Sequence, residues 1–128
     1  MNFKKFFLIL FTFALFTVLA ACTSNKDIST TSPTKPNAEE VLSQEKDADI
    51  FQLNGTIYET NIDWVDELEV TKSQEIGIIK QKSKSNFEDG TASTLEKGTK
   101  IFSVKERDDV LLVEVNGEIK KYYALTEG

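Results

Sequence analysis

Short apolar runs separated by turn residues fill the carboxyl-terminal part of the chain. The three clearest runs are Lys100 to Glu106, Val110 to Val115 and Glu118 to Leu125, and their β-branched and aromatic content is typical of strands. Asn116 and Gly117 separate the last two runs and can adopt the positive φ angles that a two-residue type I′ turn requires. This pattern predicts a three-stranded meander at the carboxyl end.

The predicted turn also fixes which side chains of the hairpin share a face. One face holds Leu111, Val113, Val115, Glu118, Lys120 and Tyr122. Val110 to Val113 is apolar on both faces, which suits a central strand of a small closed or strongly coiled sheet. Tyr122 and Tyr123 point to opposite faces, so at least one belongs to the core and the other is a contact residue, for which Tyr122 is the candidate.

Three shorter strands are predicted upstream, at Ile50 to Leu53, Thr56 to Tyr58 and Ile76 to Lys80. Between the last two, Asn61 is a candidate N-cap for one short helix, which would present on a single face Ile62, Val65 and Leu68. Residues 81–93 are mostly polar and predict a long loop. These elements predict a small, mainly β domain over residues 48–128, with an α+β arrangement as the alternative.

The first 21 residues have the layout of an export signal. Two lysines give a positive start, and residues 6–19 form an apolar run without charge. The apolar stretch ends at Ala21 and is shorter than the roughly 20 residues that a spanning helix needs. Leu19, Ala20, Ala21 and Cys22 match the lipobox, so this segment resembles the signal peptides of bacterial lipoproteins.

The resemblance implies cleavage between Ala21 and Cys22 and attachment of a diacylglyceryl group to the Cys22 thiol. Acyl chains contribute about 0.8 kcal/mol per buried CH₂, and two chains give stable anchoring where one does not. The expected location is the outer face of the cell membrane. The alternative is an ordinary cleaved signal that leaves a free thiol.

Residues 22–47 are predicted to form a flexible linker. They are rich in Ser, Thr, Asn, Lys and acids, hold both prolines and lack aromatic residues. Such a spacer of about 25 residues spans roughly 25 to 30 Å on average. Within it, Asn37 and Glu40 match a helix start, and Val41 with Leu42 allows one or two helical turns.

Composition disfavours several function classes. The chain has 15 basic and 21 acidic residues, and removal of Lys4 and Lys5 with the signal leaves 13 against 21, a net charge of −8. Nucleic acid is therefore an unfavourable partner, because its phosphates are bound by Lys and Arg. The chain has no histidine and a single cysteine, so the usual zinc ligands and Cys–His nucleophile pairs are missing and no cofactor is expected.

Two resemblances concern the domain. Residues 54–58, 64–69, 76–80 and 98–102 resemble small lipoproteins of Gram-positive bacteria, a group that implies no activity. Residues 95–101 followed by 111–117 are similar to bacterial Src-homology-3-like wall-binding modules, which implies a small barrel. Those modules usually close with a Gly-Trp-Val strand, where this chain has Lys121, Tyr122 and Tyr123. The fold class predicted is thus a small antiparallel sheet or Src-homology-3-like barrel.

The other candidate contact residues are Trp64, Asp63 and Glu67. With Asp66 and Glu69 they form an acidic cluster around an aromatic ring, which could hold a cation or a sugar. The favoured interpretation is a solvated helix face for the acids and packing at the core or its rim for Trp64. No metal site is expected, because the segment lacks the glycine-bearing loop of alternating acids that binds calcium.

Three functions are compatible with these features. The first is a non-catalytic binding or accessory module of the cell envelope that contacts an envelope protein or peptidoglycan. The second is an inhibitor or masking protein for a basic envelope partner, whose binding would be strongly salt-sensitive. The third and least favoured is a cell-wall-modifying enzyme, since the commonest general base, histidine, is absent.

Overall fold

The structure, a computed structural model, describes residues 35–126. Their strands form one curled half-barrel sheet, which confirms the mainly β prediction. The strands are β1 (Ile50–Leu53), β2 (Thr56–Glu59), β3 (Lys72–Ile78), β4 (Gln81–Lys82), β5 (Thr91–Ala92), β6 (Lys100–Val104), β7 (Val110–Val115) and β8 (Glu118–Leu125). The helices in this range are α1 (Ala38–Gln44) and α2 (Asp63–Asp66). The predicted signal segment, its cleavage site and Cys22 lie outside the described residues.

The two edge strands of the curled sheet, β3 and β4, are consecutive in the chain. The strand order is β3-β6-β7-β8-β2-β1-β5-β4, and only Ile79 and Lys80 separate β3 from β4. The Ile79 amide donates to the Thr99 carbonyl at 2.8 Å, and the Lys80 amide donates to the Gly90 carbonyl at 2.8 Å. The chain from β3 to β4 therefore changes its pairing partner from β6 to β5. All strand pairs are antiparallel except β4 with β5.

The carboxyl-terminal meander has the predicted register. Val110 pairs with Tyr123 and Val115 with Glu118, and the turn residue Asn116 has a φ angle of 52°. Most residues adopt this left-handed conformation poorly, whereas Asn, Asp and Gly adopt it readily. The Asn-Gly sequence therefore favours a tight hairpin at this position. All four residues from Val110 to Val113 are at most 4% exposed, as expected for a strand covered on both faces.

The inside of the curled sheet holds the main core. Phe51 of β1 stacks on Tyr58 of β2 with a ring-centroid distance of 5.2 Å and lies 4.8 Å from the ring of Tyr122. The buried members of this core are Phe51, Ile79, Ala92, Leu95, Ile101, Leu111, Val113 and Tyr122. Gly77 lets β3 approach this core closely, because a Cβ there would lie 3.2 Å from Leu53 Cδ1.

Helix α1 packs on the outer face of β1 and β2, although the sequence assigns its residues to the linker. Ala38 is 3% exposed and shares a cluster with Ile50 and Ile57. The predicted helix start is confirmed, since the Glu40 amide donates to Asn37 Oδ1 at 2.9 Å and the Asn37 amide donates to Glu40 Oε2 at 3.2 Å. The packed domain therefore begins about ten residues before residue 48.

Helix α2 covers the outer face of β7 and β8. Ile62, Val65 and Leu68 share the buried face as predicted, but Asn61 is not the cap. The N-cap is Ile62, and Asn61 instead has a φ angle of 65° that turns the chain into the helix.

Strand β3 begins at Lys72, earlier than predicted, and the predicted polar loop contains the two-residue strands β4 and β5. Neither helix in residues 35–126 is long and apolar enough to cross a membrane.

Candidate functional site

An open groove lies on the outer face of β7 and β8, beside the segment that follows α2. We call it the outer groove. Its apolar lining is Leu68, Val70, Leu112 and Ile119, and its charged lining is Glu69, Lys72 and Lys121. The volume is about 430 Å³, which falls within the range of roughly 300 to 1,000 Å³ of ligand-binding clefts. Leu112 is buried, whereas Ile119 is 57% exposed and forms an open wall.

The hairpin register places these side chains together. Leu112 pairs with Lys121 and Glu114 pairs with Ile119, so all four project from the face opposite the inner core. Side chains of adjacent strands that share a face lie roughly 5 Å apart at Cβ. Ile119 therefore lies across from Glu114, and Lys121 lies across from Leu112, so the face carries both apolar and charged side chains.

Both lysines of the outer groove are held by contacts within the domain. Lys121 Nζ donates to the carbonyl oxygens of Asp66 at 2.7 Å and Leu68 at 2.5 Å, which ties β8 to the end of α2. Lys72 Nζ pairs with Glu114 Oε1 at 2.6 Å and lies 4.5 Å above the Phe102 ring. Their positive charges are directed at the groove walls and not at the open space.

Trp64 packs at the rim of the domain, outside the groove lining. Its ring meets that of Tyr123 edge to face, with 5.0 Å between centroids and 73° between planes. The guanidinium of Arg107 lies 5.4 Å from the centre of the tryptophan ring, within cation–π range. Arg107 also makes two bonds to the Asp109 carboxylate, at 2.7 and 2.8 Å, and these lower the pKa of Asp109. Trp64 nevertheless stays 46% exposed.

The acidic cluster around α2 remains in solvent. Asp63, Asp66, Glu67 and Glu69 are all exposed. Nowhere in residues 35–126 do three acidic side chains converge in a way that could hold a metal ion. The carboxylates thus form an exposed negative surface on α2 and the residues after it, and Glu69 among them lines the outer groove.

Tyr122 is not a surface contact residue, contrary to the sequence-based hypothesis, because it is fully buried in the inner core. Its hydroxyl donates to Asp49 Oδ1 at 2.7 Å, and Lys120 Nζ lies 3.0 Å from Asp49 Oδ2. Asp49 is itself only 7% exposed. Burial, together with the Asp49 carboxylate, raises the pKa of the Tyr122 hydroxyl. The three side chains form a structural network that joins the start of β1 to β8, and Tyr123 takes the more exposed position.

The structure brings together residues that sequence analysis did not connect. Trp64 was a candidate, but its partners Tyr123 and Arg107 lie on other elements. Ile119 was missed as a site residue, although the predicted register already assigned it to the face of Lys121. The chain matches no protein-family model, no curated protein and no solved structure. Its function is therefore inferred from its own sequence and surface.

Proposed function

We propose that this protein is an extracytoplasmic lipoprotein, anchored by lipid on Cys22, and that its β domain is a non-catalytic binding module of the cell envelope. The sequence Leu19-Ala20-Ala21-Cys22 supports the anchor. The outer groove supports binding. Its partner is an envelope protein or peptidoglycan, because a domain held close to the outer face of the cell membrane encounters these components.

The observation that carries the binding proposal is the exposure of apolar side chains around one concave surface. Ile119 of β8 is 57% exposed beside the apolar lining residues Leu68, Val70 and Leu112. Trp64 of α2 is 46% exposed and packs on Tyr123, outside the groove lining. Soluble domains rarely keep large apolar side chains together at the surface without an interaction to serve. The network of Asp49, Lys120 and Tyr122 holds the hairpin firmly from behind, so the surface is preorganised.

The anchor is tested by replacing the lipid-bearing residue. Cys22→Ala should leave the signal uncleaved or release the protein from the membrane fraction, whereas Thr23→Ala keeps the lipobox and should behave like the parent chain. Mass spectrometry of the mature amino terminus should find a diacylglyceryl cysteine. A mature terminus without lipid, together with membrane retention of the Cys22→Ala variant, would refute the anchor.

The binding surface is tested by site-specific photo-crosslinking in living cells. A photoreactive residue at Ile119 should capture a discrete envelope component, and the same residue at exposed Glu39 on α1 is the matched control. The Cys22→Ala background should lose the product if anchoring is needed. Equal capture from both positions, or from neither, would count against the outer groove as the binding surface.

A further inference from the structure

The outer groove combines an apolar lining with three charged residues, Glu69, Lys72 and Lys121. Its exposed wall is Ile119 and its buried floor is Leu112. A space of about 430 Å³ accommodates one or two aliphatic or aromatic side chains of an incoming chain. An occupant therefore needs an apolar anchor.

The charge around the groove defines the rest of the occupant. Lys72 pairs with Glu114, and Lys121 donates to the carbonyl oxygens of Asp66 and Leu68, so both lysines already have acceptors within the domain. Of the exposed carboxylates, Glu69 lines the groove, whereas Asp63, Asp66 and Glu67 lie on α2 and the turn that leads into the lining residue Leu68. The chain without its first 21 residues carries a net charge of −8, so a second copy would be repelled and a cationic partner attracted.

We propose that the outer groove binds a basic protein segment, with one apolar side chain of that segment inserted beside Ile119 and its Lys or Arg residues placed against the carboxylates of α2 and Glu69. This inference rests on the proposed binding function and specifies its partner. The apolar anchor supplies affinity and register, and the carboxylate rim supplies attraction that salt screens. Such a mode matches the masking of a basic envelope protein.

The test uses full-length protein in nanodiscs of zwitterionic phosphatidylcholine, with empty nanodiscs as the blank. The probes are three synthetic peptides of equal length: one alternating Lys with Leu, one with every Leu replaced by Ser, and one with every Lys replaced by Glu. The Lys-Leu peptide should bind most tightly. The Lys-Ser peptide should bind at least tenfold more weakly, and the Glu-Leu peptide should not bind.

Matched variants of the protein assign the binding to the groove. Ile119→Ser should weaken the Lys-Leu peptide roughly tenfold, as expected for the loss of one buried aliphatic contact. Ile76→Ser is the control, because Ile76 is 44% exposed but lies outside the groove lining. Glu69→Gln should weaken binding at low salt and flatten its salt dependence, whereas Glu88→Gln, also exposed, should not.

Several results would overturn the proposal. The first is an equal loss of affinity for the Lys-Leu peptide with Ile76→Ser and Ile119→Ser. The second is equal affinity for the Lys-Leu and Lys-Ser peptides, and the third is binding of muropeptides but not of basic peptides. Formation of a dimer through Ile119 would also overturn it. If the protein is retained at the membrane but fails the peptide tests, the anchor proposal stands and the groove proposal fails. If the protein binds the peptide but carries no lipid on Cys22, the groove proposal stands and the anchor proposal fails. The two failures are therefore distinguishable.

Discussion

Replacement of Tyr122 by phenylalanine should destabilise the domain strongly for a single removed oxygen atom. The Tyr122 hydroxyl donates to Asp49 Oδ1 at 2.7 Å in a position that solvent does not reach. Without it, Asp49 keeps only Lys120 at its carboxylate, and Lys120 is itself partly exposed. An acidic group that is 7% exposed then loses one of its two side-chain partners.

The size of the effect can be estimated from the kind of bond. A hydrogen bond to a charged group contributes about 1.5 to 3 kcal/mol to stability, so the loss on Tyr122→Phe should be about 2 kcal/mol. In a domain of 60 to 100 residues each kcal/mol shifts the Tm by roughly 4 to 8 °C. The expected fall in Tm is therefore about 8 to 16 °C.

The assay is denaturant and thermal unfolding of full-length protein, followed by the fluorescence of Trp64, the single tryptophan. Tyr123→Phe is the matched control, because the Tyr123 hydroxyl has no hydrogen-bond partner among residues 35–126 and its ring still packs on Trp64. The control should change stability by less than about 0.5 kcal/mol.

A double-mutant cycle with Asp49→Asn separates the bond from the packing of the ring. If the hydroxyl acts through Asp49, the coupling between the two substitutions should be at least about 1 kcal/mol. Equal stabilities of the Tyr122→Phe and Tyr123→Phe variants, or additive effects in the cycle, would refute the assignment of the network as a support of the fold.

Three further outcomes are expected. Val113→Asp places an unpaired charge in the inner core and should abolish cooperative unfolding, and retention of a sharp transition would mean that β7 is not central. Asn37→Ala should cost about 1 kcal/mol in a urea titration, since the Glu40 amide loses its cap; an unchanged midpoint would show that α1 contributes little. The pKa of Asp89 is lowered because its carboxylate accepts from the Gly55 amide, so it stabilises the fold above its unfolded pKa and loses that contribution as the pH falls. Asp89→Asn should therefore be less stable than the parent at pH 7, and the difference should shrink as the pH falls below 3.8, the ordinary pKa of an aspartate. An equal difference in urea midpoint at neutral and at acidic pH would contradict this sign.

The elements that sequence predicts well are those with local causes. The Asn116-Gly117 turn determines the register of β7 and β8, and the Asn37 and Glu40 pair determines the start of α1. Strand β3 was predicted too late because residues 72–75 are polar and lie on an edge strand, where backbone pairing with β6 needs no apolar alternation. Local periodicity carries no signal for such a strand.

The candidate site depends on contacts between distant parts of the chain. The Asp49 carboxylate and the Tyr122 hydroxyl are 73 residues apart, so their bond exists only once the sheet has curled. Alternation along β8 places Tyr122 and Tyr123 on opposite faces, but the packing of β1 and β2 decides which face is inside. The outer groove likewise requires the segment after α2 to be tied to Lys121, which no local pattern specifies.

The two ends of the domain pack in one cluster, since Ala38 of α1 and Leu125 of β8 both belong to it. A short linker across this cluster, with new termini opened at the Asn116-Gly117 turn, would keep every strand beside its present neighbours. The β7–β8 pairing, now across a two-residue turn, would then join the two ends of the permuted chain. Folding would slow while the native topology stayed the same. The order of the strands along the chain thus affects how fast this domain folds more than which structure it reaches.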